Sequence, residues 1–227
     1  MSKNTFGANF LLYSSVQFVV LTSAAMLAFP GGAMYQPNAN QYLFFQNFFS
    51  DLGGTATREH HSNLFSMVLF GVALISIGIS LSVASPIWKR VIPTDRRAMF
   101  FGHAAQIFSL LSGVCYVGIA VTPWNLVLDT HMLFVQGAFT LLLGFVLCLT
   151  ALQMRNGWPV RYIASNLIYI VVLTAYVFVL FRGPNLLTLK GLVFQVVAQK
   201  IIVYVSILNL AYQTLGIRRA ANHSLDM

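Results

Sequence analysis

Apolar residues fall into six long stretches along the chain, separated by shorter segments richer in charged and turn-forming residues. A helix that crosses the hydrocarbon core of a bilayer needs about 20 mostly apolar residues, and each stretch reaches about that length. The pattern therefore predicts an all-α fold, a polytopic membrane protein whose six transmembrane helices form one domain over residues 1–227. The predicted spans run approximately over Asn9 to Phe29, Ser62 to Ser85, Ala98 to Val121, Met132 to Met154, Tyr162 to Phe181 and Leu192 to Leu215.

The longest connection covers residues 30–61, between the first and second spans. Pro30-Gly31-Gly32 is typical of a helix stop. Residues 41–49, Gln-Tyr-Leu-Phe-Phe-Gln-Asn-Phe-Phe, interleave aromatic and amide side chains, which suits a short helix lying at the membrane interface. We therefore predict an interfacial helix over 41–49. Long ordered loops in compact proteins are commonly functional.

Composition supports the membrane assignment and excludes other classes. Hydrophobic residues make up 58% of the chain and charged residues 8%, against roughly 25% charged in an ordinary soluble domain. The net charge is +8, but the basic residues are too thinly spread for a nucleic-acid surface. Cys115 and Cys148 lie inside spans and form no disulfide framework or thiolate metal motif. Gly71, Gly78 and Gly113 are expected to permit close helix packing.

Basic residues collect at the connections on one side of the predicted bundle. That side carries nine Lys and Arg residues and the other carries three. The nine are Lys3, Lys89, Arg90, Arg96, Arg97, Arg155, Arg161, Arg218 and Arg219, and the three are Arg58, Arg182 and Lys190. Because cytoplasmic loops are enriched in Lys and Arg, both termini are predicted to be cytoplasmic, in a multi-pass protein of the plasma or inner membrane.

Lys200 is the most informative polar residue, since it lies within the sixth predicted span. It sits roughly 12 Å from the nearer surface at about 1.5 Å per residue. A charged lysine near mid-membrane costs at least about 2.5–3.5 kcal/mol, so we expect it to have a partner or a function. Gln195 and Gln199 make the same segment polar. No carboxylate lies deep in a span to serve a retinal Schiff base, and no cofactor is predicted.

Five further ionisable residues are predicted at the outer side of the bundle. They are Asp51, His61, Asp129, His131 and Arg182. Each has a structural alternative: Asp51 suits a turn, Asp129 suits a helix N-cap and His61 suits a solvated interface. Their concentration at one side nevertheless predicts a polar pocket that Lys200 shares with at least one carboxylate.

Several segments resemble motifs of a known family. Asn47-Phe48-Phe49-Ser50-Asp51-Leu52-Gly53, followed by Asn63-Leu64-Phe65, resembles the Ser-Asp-Leu-Gly motif of a bacterial and archaeal six-helix membrane family of unknown function. Thr122-Pro123 with Asp129 and His131 resembles its second outer motif, and Gln199-Lys200 resembles a basic position in its last helix. That family is similar to the damage-regulated autophagy modulators and the post-GPI-attachment factors. The resemblance implies a role in handling lipids.

The first functional hypothesis is a lipid-binding or lipid-remodelling protein with an outer-leaflet pocket, whose chemistry, if any, is ester or acyl transfer or hydrolysis. In such a reaction His131 or His61 is predicted to act as general base, with Asp51 or Asp129 as its orienting partner. Lys200 and Arg182 are predicted to bind an oxyanion or a phosphate. Gln195 and Gln199 are predicted to line the pocket, and Phe45 and Phe49 to contact acyl chains. Ser50 and Ser62 are candidate nucleophiles only by proximity. Membrane lipid is the predicted partner, and no protein partner can be inferred.

Two alternatives remain open from the sequence. His61, His131 and Asp51 are weak candidates for a three-ligand metal site, because no paired-histidine helix motif accompanies them. A non-enzymatic transporter, sensor or scaffold would instead use Lys200 and an acidic partner as a charge switch. A transporter predicts that polar groups continue through the bundle to His103 and Gln106, whereas a lipid site predicts a pocket closed on that side.

Overall fold

Six long α-helices account for most of the molecule. The computed structural model describes residues 3–90 and 95–223, and the side chains of 6–88 and 95–219. Within these ranges the helices are α1 Lys3–Ala28, α2 Leu64–Arg90, α3 Arg96–Val121, α4 Leu128–Arg155, α5 Val160–Arg182 and α6 Leu189–His223, and no β-strand forms. Each helix is long and apolar enough to cross a membrane. The six predicted spans and the all-α class are therefore confirmed.

The helices form a closed ring in which each packs against its neighbours in sequence and α6 packs against α1. The α2–α3, α3–α4 and α1–α2 contacts are the most extensive, whereas α5 packs less closely against α4 and α6. Consecutive helices run in opposite directions, so the α1–α2, α3–α4 and α5–α6 connections share one end, here named the loop end. The other end is named the terminal end. The side chains of Lys3, Lys89 and Arg90, which entered the charge count, lie outside the described residues.

Local chemistry fixes several helix ends. The Asp95 side chain accepts a hydrogen bond from Ala98 N and caps α3. After α1 the chain passes Pro30 and turns at Gly31 and Gly32, whose φ values of 114° and 84° lie in the left-handed region. The α5 helix ends at Gly183, whose N–H donates to the Val179 carbonyl at 2.7 Å.

A hydrogen-bonded row of buried polar side chains joins α4, α5 and α6 in the terminal half of the bundle. The Ser165 hydroxyl donates a hydrogen bond to Asn209, and Asn209 donates to Asn166. Asn166 in turn donates to Gln153, and Gln153 donates to Gln213. The four donor–acceptor distances are 2.7–3.0 Å. Interhelical bonds of this kind stabilise helix association where water is absent. They hold together the helices that otherwise pack least.

The predicted interfacial helix over 41–49 is wrong, because this segment forms turns and a 3₁₀ helix begins at Phe49 and ends at Gly53. Residues 42–53 are here named the re-entrant loop. Asn47, Phe49, Asp51 and Leu52 of this loop are buried against the ring of helices, whereas Phe44 and Phe45 are exposed. The Phe49 ring contacts Phe18 of α1, Phe70 of α2 and Tyr204 of α6 at centroid distances of 6.4, 6.5 and 5.6 Å. Non-helical backbone is tolerated at such depth when protein groups satisfy it.

Candidate functional site

Lys200 anchors the re-entrant loop. Its side chain is only 2% exposed, so it does not snorkel to the surface. The ammonium donates to the Asn47 carbonyl, and the rings of Tyr42, Phe44 and Phe49 surround it at 5.3, 5.0 and 5.6 Å. Aromatic faces attract a desolvated cation. The buried ammonium is therefore held by a carbonyl and three rings.

Asp51 is joined to Lys200 through Asn47 and makes no direct ion pair with it. In the described part of the chain, the one ion pair is Arg155–Asp95, at 3.7 Å. The Asp51 Oδ2 atom accepts from the Asn47 side-chain amide and from Phe48 N, both at 3.0 Å. Asp51 is 6% exposed, and burial raises the pKa of its carboxyl above the ordinary value.

Two amide side chains hold the remaining backbone of the loop. Gln199 Oε1 accepts from Phe49 N at 2.8 Å. The Asn63 amide, just before α2, donates to the carbonyls of Asp51, Leu52 and Gly54 at 3.2, 3.1 and 2.9 Å. Together with Lys200, these contacts meet the requirement that buried backbone groups find partners. The loop is consequently a fixed part of the bundle.

A cavity of about 300 Å³ opens beside the re-entrant loop at the loop end. Its polar residues are Ser50, Asp51, Arg58, His131, Gln195 and Gln199. Its apolar walls include Met132 and Val135 of α4, Val179 of α5 and Leu192 of α6. This loop-end cavity is therefore bordered by α4, α5 and α6. Lys200 is not among its lining residues, so this cavity is not one that Lys200 shares with a carboxylate.

His131 lines this cavity and has a ring nitrogen without a partner in the described part of the chain. The side chain is 3% exposed, and its Nδ1 lies 2.7 Å from the Thr122 carbonyl. A carbonyl can only accept, so Nδ1 donates the hydrogen, and Nε2 carries a lone pair when the ring is neutral. Nε2 is buried without a hydrogen-bond partner among the described residues. The ring is oriented by a carbonyl and not, as predicted, by Asp51 or Asp129.

A smaller cavity of about 50 Å³ continues from the loop-end cavity towards the centre of the bundle. The two share Ser50, His131, Val135 and Gln199. The deeper walls are mostly apolar side chains, such as Leu74 of α2 and Leu210 of α6. Neither cavity is lined by His103 or Gln106, which favours a pocket closed towards the terminal end.

Four predicted site residues lie outside this arrangement. His61, Asp129, Arg182 and Phe45 are exposed, and none of them lines the loop-end cavity. Asp129 lies in the first turn of α4, but the N-cap position is Val127 and has no side-chain cap. No group of three His, Cys, Asp or Glu side chains suited to a metal ion occurs in 6–88 or 95–219. The proposed set of His61, His131 and Asp51 therefore does not assemble.

Sequence reasoning missed the residues that complete the site. The Arg58 guanidinium carbon lies 5.0 Å from the Trp124 ring centroid, and both residues line the loop-end cavity. Trp124 Nε1 is buried without a partner in the described part of the chain. In the sequence, the only sign that Asn47 matters was its position in the motif that resembles the six-helix family. Arg58 was counted as an ordinary loop charge, since nothing local reveals its distance from Trp124.

Taken together, the site combines the Arg58 guanidinium, the Asp51 carboxyl, two side-chain amides, a histidine with an unpartnered nitrogen and apolar walls. Such a cavity can accept an amphipathic molecule with an anionic or ester-bearing head. No protein-family model, curated protein or solved structure matches the chain.

Proposed function

We propose that the loop-end cavity binds a membrane phospholipid, with the phosphate near Arg58 and an acyl chain between α4, α5 and α6. The observation that carries the proposal is the lining of one cavity by Arg58 and other polar side chains, the Asp51 carboxyl among them, and by aliphatic and aromatic side chains elsewhere. An arginine binds phosphate through paired N–H groups. The apolar walls exclude a small hydrophilic anion as the preferred ligand.

The charge distribution and the family resemblance support the same proposal. With the termini in the cytoplasm, the loop end faces the outer leaflet, and that leaflet supplies the lipid. The motifs around Asp51 and His131 resemble those of a family similar to lipid-remodelling factors. Asp51 and His131 also line the cavity. Remodelling of the bound lipid would be a further function of the same cavity.

The test is to purify the protein in mild detergent and quantify retained phospholipid by native mass spectrometry. Arg58→Gln is expected to lower retention about tenfold or more, because a hydrogen bond to a charged group contributes about 1.5–3 kcal/mol. Arg182→Gln is the matched control, since Arg182 is exposed at the same end and does not line the cavity. Equal lipid retention by wild type and Arg58→Gln would contradict the proposal.

The unpartnered His131 Nε2 favours ester chemistry as a second candidate function. Ser50 lines both cavities with His131. In this reaction Ser50 Oγ bonds to the acyl carbon as its proton passes to Nε2. The ester C–O bond then breaks and the departing alkoxide takes that proton. Water or a second alcohol afterwards attacks the acyl carbon as its proton passes to Nε2. The bond from that carbon to Ser50 Oγ then breaks, and Oγ takes the proton back from Nε2.

A fluorophosphonate probe tests this chemistry, since it labels serines activated by a general base. Ser50→Ala is expected to abolish labelling, and His131→Gln is expected to slow it at least a hundredfold. Ser62→Ala is the control, because Ser62 is exposed and lines neither cavity. An unlabelled wild type that still retains lipid would remove the catalytic role and leave the binding function intact.

A further inference from the structure

A second cavity with two arginines lies at the terminal end, far along the helices from the loop-end cavity. It measures about 270 Å³, and its lining residues include Trp158, Arg161, Tyr162, Gly216 and Arg219. These residues belong to the start of α5, the turn before it and the last part of α6. None of them lines the loop-end cavity.

The two arginines converge on Tyr162. The Arg161 guanidinium carbon lies 5.1 Å from the ring centroid, and Arg219 Nη1 lies 3.5 Å from the hydroxyl. Neither arginine has an acidic partner in the described part of the chain, where Arg155–Asp95 is the one ion pair. Two guanidinium groups held around one ring without a carboxylate form a site for an anion.

An apolar groove leads away from this cavity along the seam between α5 and α6. The groove measures about 570 Å³, and its walls include Ile168 and Tyr169 of α5 and Val205 and Leu208 of α6. Tyr212, which also lines it, contacts the Tyr162 ring at a centroid distance of 5.0 Å. The arginine pair and the groove are therefore adjacent along the same two helices.

Gly216 sets the position of the Tyr162 ring. A Cβ atom at residue 216 would lie 2.7 Å from Tyr162 Cε1, closer than van der Waals contact. The absence of a side chain lets the ring lie against α6, between the arginine cavity and the groove. The 2.7 Å Ser165–Asn209 hydrogen bond lies farther along the groove, where both residues line its wall.

We propose that the α5–α6 seam binds one anionic glycerophospholipid from the leaflet at the terminal end. The phosphodiester lies between Arg161 and Arg219, and an acyl chain occupies the groove past Tyr212. Charge complementarity selects the headgroup, and the mostly apolar wall of the groove selects a lipid over a free anion. This site is separate from the loop-end cavity and does not depend on the function proposed for it.

Native mass spectrometry in a lipid-free detergent, with phosphatidylglycerol or phosphatidylcholine added, tests the proposal. Wild type is expected to bind phosphatidylglycerol at least tenfold more tightly, because phosphatidylcholine carries a compensating cation. The double variant Arg161→Gln/Arg219→Gln is expected to lose this preference. Arg218→Gln is the matched control, since it removes a neighbouring charge of the same helix outside the lining. Arg58→Gln separates this site from the loop-end cavity and is expected to retain the preference.

A groove variant distinguishes a lipid from a free phosphate. Leu208→Trp, a change at a surface position that is 69% exposed, is expected to weaken phosphatidylglycerol binding about tenfold while leaving the arginines in place. Competition by millimolar inorganic phosphate against the lipid, with no effect of Leu208→Trp, would show an anion site alone and overturn the proposal. An unchanged lipid preference in the double arginine variant would also overturn it.

Discussion

At the scale of single residues, the role of a buried polar group depends on the groups that it contacts. Lys200 and Asp51 are both buried, yet Asn47 lies between them and bonds to both. The ammonium is consequently part of the loop's support. Asp51 differs from Lys200 because it also lines the loop-end cavity, where a buried carboxyl can serve a ligand.

Asp51→Asn is expected to stabilise the protein at pH 7. Burial raises the pKa of the Asp51 carboxyl in the folded state. The folded protein therefore favours the protonated carboxyl, and the free energy of unfolding decreases as the pH rises through that pKa. An asparagine oxygen can accept the same bonds from Asn47 and Phe48, since both donors reach one carboxylate oxygen. Each unit by which the folded pKa exceeds the unfolded one contributes about 1.4 kcal/mol to the difference.

Thermal unfolding in detergent at several pH values measures this difference. The advantage of Asp51→Asn is expected to shrink as the pH falls towards the ordinary carboxyl value of 3.8. Asp129→Asn supplies the control, because Asp129 is exposed. A variant that is less stable than wild type at pH 7, with a deficit that grows with pH, would mean that nearby cations outweigh burial.

At the scale of helices, small residues decide how closely α2 and α3 approach. A Cβ atom on Gly78 would lie 2.6 Å from the Gly113 carbonyl oxygen, and one on Gly113 would lie 2.5 Å from the Gly78 oxygen. These two glycines therefore permit the close packing that the sequence predicted. Gly71 does not share this role, because a Cβ there would meet nothing within 4 Å.

Gly78→Ala is expected to destabilise the protein by about 1–3 kcal/mol, because the added methyl group would press α2 away from the α3 backbone. Gly71→Ala is the matched control on the same helix, and it is expected to be neutral or slightly stabilising since alanine favours helix over glycine. Denaturation by increasing mole fraction of sodium dodecyl sulfate compares the two. Equal midpoints for both variants would rule out backbone contact as the reason for Gly78.

The hydrogen bonds within residues 42–49 explain why the interfacial helix was predicted wrongly. The alternation of aromatic and amide residues over 41–49 is amphipathic, which fits a helix on a membrane surface. In the folded chain, Asn47 Oδ1 accepts from Leu43 N at 2.9 Å, and the Tyr42 hydroxyl donates to the Asn47 carbonyl at 3.0 Å. Side chains thus bond to backbone groups of the segment beside the turn hydrogen bonds, and Phe49 enters the core.

At the scale of the whole molecule, the nine-to-three charge asymmetry gives a testable orientation. In a background with Cys115→Ala and Cys148→Ala, Gln41→Cys is expected to react with a membrane-impermeant maleimide on intact cells. Val160→Cys, at an exposed position of the terminal end, is expected to react only after permeabilisation, because cytoplasmic loops carry the excess of Lys and Arg. The opposite labelling pattern would place the termini outside and contradict the prediction.

The six helices could be predicted from local sequence because a bilayer requires long apolar segments, and that requirement is visible within each stretch. The burial of Lys200 also followed from its position within an apolar span. Its partner did not follow. Lys200 bonds to a carbonyl 153 residues away, and Gln199 bonds to the loop across 150 residues. Such contacts depend on how the ring of helices closes.

The local hydrophobic pattern was therefore sufficient for the number and approximate extents of the spans, since each helix satisfies its own backbone in lipid. Chain packing was needed to bring Arg58, Trp124 and His131 to one cavity, to bury part of the re-entrant loop in the bundle and to leave His61 and Arg182 outside. Those positions arise from contacts between helices and loops distant in sequence, where hydrogen bonding and side-chain volume select one arrangement among many compatible with the same pattern.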